Sequence, residues 1–124
     1  MRYACLVYLD GIRMAPLTDA EVARLRHEAS ACEEELRRSG HLVSAEALET
    51  VGSATTISVR DGRPLAVDGP AIDARDHVSG VLVLEARDLN DAMRLAAKHP
   101  LGRFGRIEIR PVRREPGNVR GSAG

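Results

Sequence analysis

Four sets of side chains in this sequence have the types that proton transfer or anion binding would use. Asp68 stands in Asp68-Gly69-Pro70. A carboxylate there can face a pocket as a general base, or it can accept hydrogen bonds from the turn that Gly-Pro makes. His99 stands at an expected helix end, just before Pro100. The helix C-terminus favours a protonated imidazole, which suits a proton donor; the plain alternative is a surface residue that closes the helix. The expected loop 71–79 carries Asp73, Arg75, Asp76 and His77. The planar fork of Arg75 suits an anionic ligand's carboxylate, and the alternative is an exposed charged loop. Tyr8 and Glu46 are candidates to line the same pocket, with their facing left open by the pattern. Asp68 and His99 therefore stand as the candidate catalytic pair, and Arg75, His77, Tyr8 and Glu46 as candidate substrate-binding residues.

Other chemistries lack support. The four histidines show neither HxH nor HExxH spacing, so neither a metal nor another cofactor is expected. There is no P-loop, no GxGxxG and no GxSxG. Cys5 falls in an expected strand and Cys32 on the apolar stripe of an expected helix, which suits small core residues better than a disulfide or metal pair. Lys plus Arg and Asp plus Glu both number 18, so the net charge is zero, and Tyr3, Tyr8 and Phe104 are the only aromatic residues. Both facts argue against nucleic-acid binding, which favours a basic excess and stacking platforms. Eight basic and two acidic side chains fall in residues 94–124, and they read as a solvated strand end and tail. No apolar run reaches membrane length and the N-terminus enters a strand directly, so a cytoplasmic protein without a membrane partner is expected.

The elements that would position these residues follow from periodicity. Tyr3–Leu9 reads as a buried strand and Asp10–Leu17 as a loop. Thr18 and Glu21 form a capping box for a helix ending near Ser39, with Val22, Leu25, Ala29, Cys32 and Leu36 as its apolar stripe and Glu33, Glu34 and Glu35 on a solvated face. Gly40 suits the position just past the helix. His41–Leu48 is a second strand. Thr56–Arg60 alternates with period two, Asp61-Gly62 signals a tight hairpin, and Leu65 and Val67 lie on the returning strand. Val81–Leu84 is apolar on both faces, as a central strand should be. Asp88 caps a second helix, Leu89–Lys98, whose expected stripe is Leu89, Ala92, Met93 and Ala96. Arg106–Val112 is the last strand, with Ile107 and Ile109 facing one way.

The order β-α-β-β-β-α-β implies an α+β, ferredoxin-like split βαβ sandwich: one antiparallel sheet with both helices on one face. The apolar outer positions of the central strands call for a cover. A second copy of the chain, sheet against sheet, supplies it as a homodimer.

The set Arg2–Tyr8, Glu46-Ala47-Leu48, Val59-Arg60-Asp61-Gly62, Val67-Asp68-Gly69-Pro70, Asp88-Leu89 and Ile107–Pro111 resembles the YCII-related family, in the branch with a DGPF motif. The resemblance covers residues 1–114 and leaves 115–124 as a flexible tail. It implies a dimeric α+β barrel with a pocket beside the sheet, and a His/Asp pair has been proposed as catalytic in the wider family. One departure is the motif's Phe, which is Ala71 here. Two functions follow. One is cofactor-independent acid–base chemistry, elimination or isomerisation, on a small carboxylate or lactone. The other is a non-catalytic dimeric module that binds a metabolite or accompanies a stress response.

Overall fold

The computed structural model describes residues 1–114. The tail expected at 115–124 lies outside the described residues. Strand β1 (Arg2–Asp10) turns Tyr3, Cys5 and Val7 to one face, where all three are buried. It runs antiparallel to β5 (Asp76–Glu85) on one side and to β6 (Gly105–Pro111) on the other. Strand β2 (Leu42–Ala47) pairs antiparallel with the far edge of β5, giving the order β2-β5-β1-β6. This is the ferredoxin-like order the sequence predicts.

Helix α2 (Asp19–Arg38) starts at Thr18, whose hydroxyl accepts from Glu21 N–H at 3.1 Å while the Glu21 carboxylate accepts from Thr18 N–H at 2.9 Å. It ends where Gly40 takes φ +83°, a conformation that costs glycine little. Leu25, Ala29 and Leu36 are buried and Cys32 is half-buried, so the expected stripe forms. Helix α3 (Leu89–Ala96) starts at Asp88, which accepts from Asp91 N–H at 2.8 Å. Its buried residues are Asp91, Ala92, Leu95 and Ala96. The expected stripe is thus corrected: Leu89 and Met93 are 49% and 51% exposed, and Leu95 takes the core position. So short a helix has apolar residues enough for two rotations, and the packing of Leu95 in the core selects one.

The core joins Tyr3, Cys5, Val7, Leu82 and Leu84 of the sheet to Leu36, Ala92, Leu95 and Ala96 of the helices. Fully burying side chains such as Leu84 and Leu95 contributes about 2 kcal/mol each. Cys5 and Cys32 are both free thiols. Burial raises the Cys5 pKa to about 11, so it behaves as a small apolar residue.

Two expectations about this architecture are corrected. The segment 10–17 is not only a loop, because Gly11–Met14 forms a short helical turn, α1. Strands β3 (Thr55–Arg60) and β4 (Arg63–Asp68) do not join the main sheet; they pair with each other as a separate two-stranded ribbon. The hairpin signal itself holds. Asp61 and Gly62 both have positive φ, 52° and 76°, the pairing a two-residue turn needs. No helix among the described residues is long and apolar enough to cross a membrane.

Candidate functional site

Strand register gathers polar side chains where β1 ends and β5 and β6 begin. Asp10 pairs with Asp76, and Leu9 with Gly105. The approach of β6 depends on Gly105, since a Cβ there would sit 1.7 Å from the Tyr8 carbonyl oxygen. Around this junction lies a cavity of about 620 Å³, lined by Asp10, Arg13, Ala74, Arg75, Asp76, Gly105 and Arg106.

Asp10 is the anchor of the cleft. It is 7% exposed, and it caps α1 by accepting from Ile12 N–H at 2.9 Å. Its other oxygen accepts from Arg75 Nη2 at 2.9 Å. Burial raises the pKa of this carboxyl, but the Ile12 N–H, the Arg75 guanidinium and the Arg13 N–H together outweigh that effect and hold it below its ordinary value. Asp76 binds Arg106 in the same manner, with Arg106 Nε donating to Asp76 Oδ2 at 3.0 Å. Arg13 Nη1 donates to the Arg103 carbonyl at 3.2 Å, which turns a third guanidinium toward the cleft. Three guanidiniums face two carboxylates. Both carboxylates are largely buried, whereas Arg75 and Arg106 remain mostly exposed with N–H groups to spare. Such a site can take an anion without breaking either ion pair.

Tyr8 lies on the same face, paired with Arg106 and Val78. It lines a second, smaller cavity of about 300 Å³ with Arg106, Ile107 and Glu108, so Arg106 borders both spaces.

The structure therefore brings Arg75 and Tyr8 to one end of the sheet and places the other candidates elsewhere. Asp68 closes β4 on the exposed ribbon. The turn after it is held by Gly69 N–H donating to the Ala54 carbonyl at 2.8 Å and Thr56 Oγ1 donating to the Gly69 carbonyl at 2.7 Å, not by the Asp68 carboxylate. His99 is 3% exposed, which corrects the surface position expected for it. Its Nε2 meets Glu33 Oε2 at 2.9 Å and its Nδ1 accepts from Leu101 N–H at 3.3 Å. With Nδ1 accepting, Nε2 carries the proton that Glu33 receives, and neither ring nitrogen is left for a substrate. Among the described residues no hydrogen bond joins His99 to Asp68. His77 lies within β5, not in a loop, and pairs with Leu9, which puts it on the face opposite Tyr8 and Asp10. Glu46 shares the open face with Tyr8 but stands on the edge strand β2, opposite Val81. Ala71 is exposed and does not line the cleft.

The residues that build the cleft beyond Arg75 left fainter marks in the sequence. Asp10 is followed two residues later by the Ile12 N–H it captures, a short-range Asx signal at a strand end. Glu33 sits four residues after Ala29, at the border of the α2 stripe, so its placement on a fully solvated face is corrected as well.

A family model described as the YCII-related domain matches residues 1–116 of the chain. No curated protein matches it.

Proposed function

The chain belongs to the YCII-related family, and on that premise we propose that it is a small homodimeric pocket protein whose cleft at Asp10, Arg75 and Arg106 takes a small carboxylate-bearing metabolite. The observation that carries this reading is the pairing of buried carboxylates with exposed guanidiniums around a 620 Å³ space. That volume falls in the range of small-molecule sites. The cleft lies at the end of the sheet face that α2 and α3 leave open, beside the short turn α1. The centre of that face is apolar, formed by Ala4, Leu6, Tyr8, Val78, Val81 and Val83, all half-buried. Charged Glu46, Arg106, Glu108 and Arg110 stand on the edge strands. An apolar centre with a charged rim suits an interface. A second copy laid on this face would roof the cleft and exclude water from it.

Asp10 and Tyr8 favour a second reading, acid–base chemistry without a cofactor. They lie two residues apart on one strand and one face. An ionised carboxylate can take a proton from a carbon beside a carboxylate or lactone carbonyl that the guanidiniums hold. In this reading elimination or isomerisation rests on Asp10, and Arg75 and Arg106 position the substrate.

A thermal-shift panel of small mono- and dicarboxylates and lactones tests both readings. Stabilisation by a carboxylate that Arg75→Ala or Arg106→Ala weakens by about tenfold or more supports binding, since a hydrogen bond to a charged group contributes roughly 1.5–3 kcal/mol. An equal response of wild type and both variants overturns the cleft as the site. Turnover of a lactone that Asp10→Asn abolishes while binding persists supports the catalytic reading.

A further inference from the structure

We infer that the β3–β4 hairpin is a docking arm that lies on the open sheet face of a second copy of this chain. The inference rests on the homodimer reading above and adds the element that makes the contact.

Three observations support it. First, the ribbon is uncovered. Every residue of β4 is exposed, as is all of β3 but Thr56, and Ile57 and Val67 are each 64% exposed. A two-stranded hairpin is marginal in water unless something packs against it. Second, its register puts apolar and basic side chains on one side. Leu65 pairs with Ser58 and Val67 with Thr56, so exposed Leu65 and Val67 share the side of the arm on which Arg60 and Arg63 stand at the tip. The same chain leaves an apolar strip, Leu6, Val81 and Val83, on the uncovered face of its four-stranded sheet. One two-fold axis lets each copy's arm meet the other copy's strip, and the contact area is counted twice.

Third, the charges are complementary. The arm tip carries Arg60 and Arg63, which form no ion pair among the described residues. Glu46 stands exposed on the edge of the open face, also without an ion pair there. Long arginine side chains can lay their stems along the apolar contact and reach a carboxylate at its rim. The arm therefore fits a second copy of this chain better than a basic or purely apolar surface.

Sedimentation velocity of the full chain at micromolar concentration tests the arm. The expected results are a dimeric wild type, a monomeric Leu65→Asp/Val67→Asp variant, and a Kd raised about tenfold or more by Arg60→Glu/Arg63→Glu. Adding Glu46→Arg to that charge-reversed pair should recover most of the affinity, which a variant that merely misfolds would not do. A wild-type dimer that Leu65→Asp/Val67→Asp leaves intact overturns the arm and leaves the homodimer standing. A monomeric wild type removes both. Failure of Glu46→Arg to recover any affinity overturns the docking geometry.

Discussion

The last strand and the arm carry the same kind of sequence. Arg106-Ile107-Glu108-Ile109 and Thr56-Ile57-Ser58-Val59 both alternate polar and apolar residues with period two. In β6, Ile107 and Ile109 pack against the core below the helices. In β3, Ile57 and Val59 are 64% and 65% exposed. Alternation thus reports that a strand has an apolar side, not that the same chain covers it. The difference lies in long-range pairing: β6 hydrogen-bonds along β1, whereas among the described residues β3 pairs with β4 alone.

Substitutions that probe the covered and uncovered regions should separate sharply. Leu84→Ala empties a fully buried position in β5 and should lower unfolding stability by about 2–5 kcal/mol in a denaturant titration. A loss below about 1 kcal/mol would place Leu84 outside the core. The acid limb of stability tests the covered region differently. Asp91 accepts from Arg87 N–H at 3.0 Å and Arg94 Nη2 at 2.7 Å, and these bonds hold its pKa far below the ordinary carboxylate value. A depressed folded-state pKa contributes stability that is fully present above the unfolded value of about 3.9 and is lost as pH falls below it toward the folded value. Asp91→Asn should lower stability at neutral pH and flatten its decline below about pH 4. An unchanged slope would remove Asp91 as its source.

Thr18→Ala, which breaks the capping box of α2, should cost about 1 kcal/mol. Ile57→Ser should have the smallest effect, within about 0.5 kcal/mol of wild type when unfolding is measured at a concentration low enough to keep the chain monomeric. A loss approaching that of Leu84→Ala would show that the arm is covered within its own chain, and the contrast between the two regions would disappear.

Much of the fold was legible because its signals are local. Thr18 with Glu21, Gly40, Asp61-Gly62 and Asp88 each mark an element boundary through contacts only a few residues apart. Placing β3 and β4 in the main sheet failed because sheet membership depends on partners far along the chain. The exposure of Leu89 and Met93 was hidden for a related reason: five apolar residues in one short helix allow two rotations, and the fit of Leu95 against the sheet chooses between them. The site was less legible than the fold. Arg75 and Tyr8 were singled out by residue type, but Asp10 meets Arg75 across 65 positions of sequence. His99 carried the signals of a proton donor and is instead held at both nitrogens, a state set by Glu33 66 positions away.

The anion cleft is tested most directly by NMR of the arginine side-chain Nε–H signals in ¹⁵N-labelled protein titrated with a small dicarboxylate. The guanidiniums of Arg75 and Arg106 should shift saturably and together, while those of Arg87 and Arg94, which serve Asp91, stay in place. Saturable shifts at Arg87 and Arg94, or at Arg60 and Arg63, with Arg75 and Arg106 unmoved would contradict the assignment of this cleft as the binding site.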